Sequence, residues 1–243
     1  MTTLRPKGCT DDELVDTGLG HRWHGSVTLT DYYRQRVLIP VRDERGDVCG
    51  LIGRNVGDDR WPKYKNPPRT AVYDKSVNLY KPLPGPRPGS LGQVIVVEGT
   101  LDAMAIAVAA IRAGRVDEFV PVTQSGRELS PAQLQRVMAF RKPIVLAFDG
   151  DSAGQDSSRR HAAAAVRRGC DAWVSMLPAG QDPASWLQGS GNRGLEVWEV
   201  GRRQSERTRQ PRLTTALSYV RALSVDPGAS VTGSSAAESA LAL

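Results

Sequence analysis

Apolar and polar residues follow one another along the chain in blocks whose lengths predict a mixed α/β protein. Between residues 93 and 188, short runs of apolar β-formers alternate with longer segments of helical periodicity. The apolar runs predict strands buried on both faces, near residues 94–97, 119–123, 144–148 and 172–177. The periodic segments predict helices near residues 101–113, 131–140 and 155–168. This alternation is typical of a parallel sheet with helical crossovers.

Local signals mark the ends of two of these helices. Ser130 precedes Pro131 and stands three residues before Gln133, which predicts a capping box with proline in the first turn. The third helix is expected to end in two arginines followed by Gly169, a common stop signal.

The first 85 residues carry a different pattern. Two apolar runs, at 36–42 and 48–54, flank a short polar loop and predict a β-hairpin. A short helix is expected at 10–17, with Thr10 as its cap and Glu13 three residues later. A Pro- and Gly-rich connector at 82–92 predicts a boundary, so we expect domains at 1–85 and 93–188. Residues 189–243 are expected to form a partly disordered extension, with a helix at 213–223 and a disordered segment at 226–243.

Composition narrows the class of protein. The net charge of +6 and pI near 9.5 weakly favour a polyanionic partner. Six Arg and three acids in residues 201–243 contribute +3 of that charge. Three widely spaced cysteines predict a cytoplasmic protein without disulfides or a cysteine zinc site. No apolar stretch is long enough for a membrane span, and no membrane association is expected.

Two acidic clusters follow two of the predicted strands. Glu98 and Asp102 follow the first strand, and Asp149 and Asp151 follow the third. Ligands of open α/β sheets bind at the carboxyl ends of strands, and several carboxylates there repel one another unless a cation binds. Mg²⁺ with substrate phosphates is the usual occupant. Two alternatives stay open: the helix dipole alone could favour Asp102, and the second cluster alone could be a surface turn.

The two clusters together resemble the Toprim fold of bacterial primases, type IA and II topoisomerases and some nucleases. The motif is E-G-x-x-D from Glu98, then D-x-D-x-x-G from Asp149. The resemblance implies a Toprim-type parallel sheet flanked by helices, in which Glu98, Asp149 and Asp151 bind Mg²⁺ or Mn²⁺ and Asp102 supports them. Asp182 is expected to contribute to a second metal site. That site is expected to be weak, because Ala179 and Gln181 stand where primases commonly have acids.

The upstream half resembles the N-terminal subdomain of the DnaG-type primase core, a smaller α+β unit. The resemblance implies contacts with nucleotide and DNA from residues of the second hairpin strand and the segment that follows it. They are Arg54, Lys63, Tyr64, Asn66 and Lys75. Independently, this stretch mixes cations with Trp61, Tyr64, Tyr73 and Tyr80, and aromatic faces can stack on bases. A solvated hairpin with packed aromatic residues is the alternative.

The expected function is that of a DNA primase catalytic subunit, which joins ribonucleoside triphosphates into short RNA primers on single-stranded DNA. No zinc-ribbon or helicase-binding domain is expected, so a separate zinc-ribbon subunit or a replicative helicase is the expected partner, or the chain is a phage or mobile-element form. No zinc is expected. A Toprim nuclease and a non-catalytic nucleic-acid-binding module remain the alternative functions.

Overall fold

The computed structural model describes residues 4–23, 26–57, 60–85, 90, 92–126 and 128–199. The predictions for 213–223 and 226–243 lie outside the described residues. The strands are β1 (Gly20–Arg22), β2 (Leu29–Asp31), β3 (Arg36–Arg42), β4 (Val48–Asn55), β5 (Tyr64–Lys65), β6 (Gln93–Val97), β7 (Phe119–Thr123), β8 (Ile144–Leu146) and β9 (Ala172–Val174). The helices are α1 (Asp11–Asp16), α2 (Thr100–Arg112), α3 (Pro131–Ala139), α4 (Ser152–Val166) and α5 (Pro183–Ser190), with 3-10 helices at Arg5–Lys7 and Gly191–Trp198.

The second half of the described chain forms the predicted parallel sheet. Its four strands run in the order β7-β6-β8-β9, and every pairing is parallel. All five residues of β6 are buried, as expected of a central strand covered on both faces. Strands β8 and β9 end two or three residues earlier than predicted, although the N–H of Ala147 still donates to the carbonyl of Val96.

Alternate residues of β6 face two different helical layers. Ile95 and Val97 belong to a hydrophobic cluster with residues of α2 and α5. Val94 and Val96 belong to a second cluster with residues of α3 and α4. The side-chain period of two in a strand therefore places helices on both faces of the sheet.

The helix starts follow their caps. Ser130 and Gln133 form the predicted capping box of α3, and Thr10 and Glu13 form that of α1. Helix α4 begins three residues before its predicted start, because the side chain of Asp151 accepts from the N–H of Gly154.

Helix α5 and the 3-10 helix after it were not predicted as elements. Trp186 and Leu187 of α5 are buried, as are Leu195 and Trp198 of the 3-10 helix. All four join the cluster under α2. We therefore propose that the second domain ends near residue 199 instead of residue 188.

The predicted hairpin forms the centre of the first half. Strands β3 and β4 pair antiparallel, with an irregularity between Val41 and Arg42, and β5 adds a third strand at the edge of β4. Strands β1 and β2 pair as a separate two-stranded sheet. Cys9, Cys49 and Cys170 are free, and no helix of the described residues is long and apolar enough to span a membrane.

The two halves meet at the edge of β7. Tyr80 pairs with Thr123 in an antiparallel bridge, with N–H to carbonyl distances of 2.9 and 3.0 Å. The side-chain amide of Gln133, in the first turn of α3, donates to three carbonyls that come from both halves. They belong to Lys75 (2.9 Å), Asn78 (2.9 Å) and Gln124 (3.2 Å). These bonds bring the first half against the carboxyl end of β7.

Candidate active site

Glu98 follows β6 directly and reaches toward the loop after β8. Its Oε1 lies 3.0 Å from the point where a Cβ would stand on Gly154. Burial raises the pKa of its carboxyl, and the charges of Asp149 and Asp151 raise it further. The backbone at Glu98 is fixed by Thr123, whose hydroxyl donates to its carbonyl at 2.6 Å. Glu98 and the second acidic cluster therefore share one site, as the sequence predicts.

The loop of Asp149 and Asp151 is held by backbone contacts that require glycine between them. The N–H of Gly150 donates to the carbonyl of Gln181 at 2.8 Å, and a Cβ on Gly150 would collide with the carbonyl oxygen of Pro178. Position 150 therefore requires glycine because the backbone at Pro178 packs directly against it. Asp151 caps α4 with one carboxylate oxygen, at 2.7 Å from the N–H of Gly154.

Asp149 has the least satisfied carboxylate of the site. Its Oδ1 is buried and has no hydrogen-bond partner among the described residues. Burial raises the pKa of this carboxyl, and the charges of Asp182 and Asp151 add to the increase, whereas Lys63 opposes it. A buried, unpaired carboxylate oxygen is costly unless a cation or a donor binds it.

Asp102 lies in the first turn of α2, and the structure gives it more than a role at the helix dipole. Its side chain is 8% exposed, and Oδ1 accepts from the N–H of Ala184 at 3.2 Å, which ties α2 to α5. A Cβ on Gly99 would collide with its Oδ2. Burial raises the pKa of Asp102 to about 6, and the charges of Asp182 and Asp149 contribute.

Asp182 begins α5 as its N-cap and also faces the other carboxylates. It accepts from the N–H of Ser185 at 2.7 Å. Burial acts to raise the pKa of this carboxyl, but the hydrogen bonds from Ser185 and the charge of Lys63 outweigh it and leave the pKa lowered.

These acids supply oxygen donors and excess negative charge to one edge of the sheet. Among the described residues no three His, Cys, Asp or Glu side chains already form a metal-coordinating group. Asp102, Asp151 and Asp182 each accept a hydrogen bond from a backbone N–H through one carboxylate oxygen. The orphaned Oδ1 of Asp149 and the burial of neighbouring carboxylates fit a hard divalent cation.

Lys63, Arg54 and Tyr64 bring positive charge and an aromatic ring to the same edge. Lys63 is exposed, and its charge acts on both Asp149 and Asp182. Arg54 and Tyr64 pair between β4 and β5, and the guanidinium lies 4.8 Å from the ring centroid. Burial raises the pKa of the Tyr64 hydroxyl, and the nearby charge of Asp102 also raises it. These three predicted residues thus meet the acidic cluster.

Asn66 and Lys75 lie at the loop after β7. The side chain of Asn66 donates to the carbonyl of Ser125 at 2.9 Å, and the Lys75 ammonium lies 3.4 Å from the Cβ position of Gly126. Ser125 has a positive φ of 53°. These contacts place the two residues along the same edge of the sheet, beside β7 instead of β8.

Sequence reasoning missed Thr123 as a residue of the site. Its side chain is buried, and it joins the backbone of Glu98 to the N–H of Ser125. Thr123 ends a buried strand just before a polar Gln-Ser-Gly segment, and that position at the carboxyl edge was the available signal.

The fold and the acidic edge define a Toprim-type α/β domain that follows a smaller basic subdomain. Residues 1–83 match the family model for the N-terminal domain of the DNA primase catalytic core, and residues 95–187 match a Toprim-like model. The chain belongs to the DnaG-type DNA primase catalytic-core family.

Individual relatives agree with this assignment. The chain is 32% identical over 182 residues to a DNA primase of Pseudomonas putida, and 30% identical over 196 residues to one of Clostridium acetobutylicum. These alignments cover 73% and 80% of this chain but only 26% and 31% of the relatives. A DNA primase domain of Pseudomonas aeruginosa has a similar structure, with a TM-score of 0.65 at 29% identity over 78% of this chain and 58% of that one. A DnaG catalytic domain bound to single-stranded DNA has a TM-score of 0.64 at 27% identity, over 83% and 61%.

Proposed function

We propose that this chain is the catalytic core of a DNA primase, which joins ribonucleotides into short RNA primers on single-stranded DNA. One observation carries the proposal: a single sheet edge gathers Glu98, Asp149 and Asp151 beside the exposed Lys63. Carboxylates that can hold a divalent cation, next to a lysine, suit a reaction in which phosphate charge must be neutralised and the phosphates oriented.

Mg²⁺, or Mn²⁺, is the proposed cofactor, held by Glu98, Asp149 and Asp151, with Asp182 as a further ligand. Such ions supply neutralisation of triphosphate charge and activation of the attacking 3′-hydroxyl. The unpaired Oδ1 of Asp149 supports this assignment, because among the described residues it has no other partner.

The surrounding residues hold and orient the reacting groups. Lys63 provides a positive charge for the triphosphate next to the carboxylates, and Lys75 provides one beyond β7. Arg54 keeps Tyr64 in place through its ring contact. Asp102 fixes α2 against α5, so that Asp182 stays beside Asp149.

The proposed substrates are a single-stranded DNA template and ribonucleoside triphosphates. The template is supported by the similar DnaG structure that is bound to single-stranded DNA. A replicative helicase or a separate zinc-ribbon subunit as partner, a cytoplasmic location and a phage or mobile-element origin all stay predictions.

The test is incorporation of labelled ribonucleotides on single-stranded DNA, with Mg²⁺ and with chelator. We expect incorporation by the unchanged chain and none by Asp149→Ala, with circular dichroism unchanged. Asp47→Asn, an exposed carboxylate in the β3–β4 loop, is the control and should remain active. Shortening of end-labelled DNA without incorporation would instead identify a nuclease, and DNA binding without either reaction would identify a non-catalytic module.

A further inference from the structure

We propose that Trp61 is a stacking platform for an unpaired base of the DNA template, just outside the carboxylate site. This inference rests on the proposed function, and it assigns to one residue a role that the sequence pattern left to four aromatic residues.

The structure separates those four aromatic side chains by burial. Tyr73 and Tyr80 are 2% and 5% exposed, and both belong to the hydrophobic core. Tyr64 is partly buried, packs against the same cluster and is covered by Arg54. Trp61 is 62% exposed. Of the four, Trp61 alone therefore presents a ring that a base from solution can reach.

The backbone around Trp61 is anchored at the edge of β4. The carbonyl of Lys63 accepts from the N–H of Asn55 at 3.0 Å, and the carbonyl of Trp61 lies 3.5 Å from the side-chain amide of Asn55. Pro62 lies between Trp61 and Lys63, and its ring restricts the backbone conformation of this segment. An exposed ring on a restrained segment loses little conformational entropy when a base stacks on it.

The position of this segment favours the template strand as the partner. Two residues further on, the charge of Lys63 acts on Asp149, and one residue after that the charge of Asp102 acts on the Tyr64 hydroxyl. Asn66 donates to the carbonyl of Ser125 after β7. Trp61 thus precedes by two residues the lysine whose charge acts on Asp149 and Asp182. An open ring beside a positive charge suits a passing single strand, because every base has a face for stacking and the backbone is anionic.

The experiment measures binding of a labelled oligothymidylate to the full chain without ribonucleotides. We expect Trp61→Ala to weaken binding about 5- to 150-fold, which corresponds to roughly 1–3 kcal/mol. Trp61→Phe, which keeps an aromatic face, should retain most of the affinity. Trp23→Ala is the matched control, since Trp23 is 67% exposed and lies outside this segment.

A series of strands with one abasic site each identifies the stacking partner. At one strand position the abasic site should weaken binding to the unchanged chain but have little further effect on Trp61→Ala. Unchanged affinity in Trp61→Ala, an equal loss in Trp23→Ala, or additive effects at every strand position would each overturn the inference. Because primer synthesis by the unchanged chain is measured separately, a failure of the proposed function is distinguishable. That failure would appear as absent synthesis in every variant.

Discussion

The carboxylate of Asp151 accepts a hydrogen bond from the backbone N–H of Gly154 at 2.7 Å, so one of the predicted metal ligands also begins helix α4. Its charge is also close enough to Glu98 and Asp149 to raise the pKa of both carboxyls. A single substitution at this position can therefore affect both the fold and the site, and the two effects must be separated.

Asp151→Asn and Asp151→Ala separate them. Asn keeps an oxygen for the cap, whereas Ala removes it and should lower the free energy of unfolding by about 1 kcal/mol. Both variants remove the charge, so both should lose primer synthesis. Urea unfolding and ribonucleotide incorporation measure the two properties. Full activity in Asp151→Asn would show that the cap is the whole role of this residue.

Gly154 is expected to reverse the usual effect of alanine in a helix. A Cβ there would collide with the carbonyl oxygen of Asp149 and lie 3.0 Å from Oε1 of Glu98. Gly154→Ala should therefore destabilise the protein by about 1–3 kcal/mol and abolish primer synthesis. Gly189→Ala in α5 adds a Cβ with no atom of the described residues within 4 Å, so it should be neutral or stabilising by up to about 1 kcal/mol. If urea unfolding gave the same change in stability for Gly154→Ala and Gly189→Ala, the close packing around Gly154 would be contradicted.

Much of the fold follows from local signals in the sequence. Strand β6 and the capping box of Ser130 and Gln133 were both predictable because their signals lie in residues that are neighbours along the chain. The acidic edge follows from one further rule, that the carboxyl ends of parallel strands lie together. Glu98 and Asp149 could therefore be assigned to one site before any contact was known.

Other features depend on contacts between distant residues. Gly150 is required by the carbonyl of Pro178, which comes from a separate segment. Tyr73 and Trp61 are both aromatic residues in the same polar, basic stretch of sequence, yet tertiary packing buries Tyr73 and leaves Trp61 exposed. Helix α5 is short and was missed, although Asp182 and Ser185 have capping-box spacing.

Asp102 gives the protein a specific dependence of stability on pH. Its folded-state pKa of about 6 lies above the ordinary value of 3.8, so the folded protein binds this proton more tightly than the unfolded chain. Stability from this group is therefore present at low pH and is lost as the pH rises from about 4 to about 6.

Asp102→Asn should remove that dependence. Asn can still accept from the N–H of Ala184, although the hydrogen bond from Gly99 is lost. We therefore expect the free energy of unfolding to rise by about 1–2 kcal/mol at pH ~7.5 and to change little at pH ~4. Urea unfolding in the presence of chelator measures the difference from the unchanged chain. If Asp102→Asn were less stable than the unchanged chain at pH ~7.5, the ionised carboxylate of Asp102 would not destabilise the folded protein.

Asp149 should determine whether a divalent cation stabilises the fold. Without metal, Asp149→Asn removes one charge from a site where burial and neighbouring carboxylates already raise the pKa, so its melting temperature should exceed that of the unchanged chain. With Mg²⁺ the order should reverse, because an ion bound only to the folded state adds about 2.7 kcal/mol at 100 times its Kd. Thermal unfolding with and without Mg²⁺ measures both changes. Asp47→Asn, at an exposed carboxylate in the β3–β4 loop, should gain as much stability from Mg²⁺ as the unchanged chain. If Mg²⁺ stabilised Asp149→Asn equally, the ion would bind elsewhere, and the orphaned Oδ1 of Asp149 would need another partner.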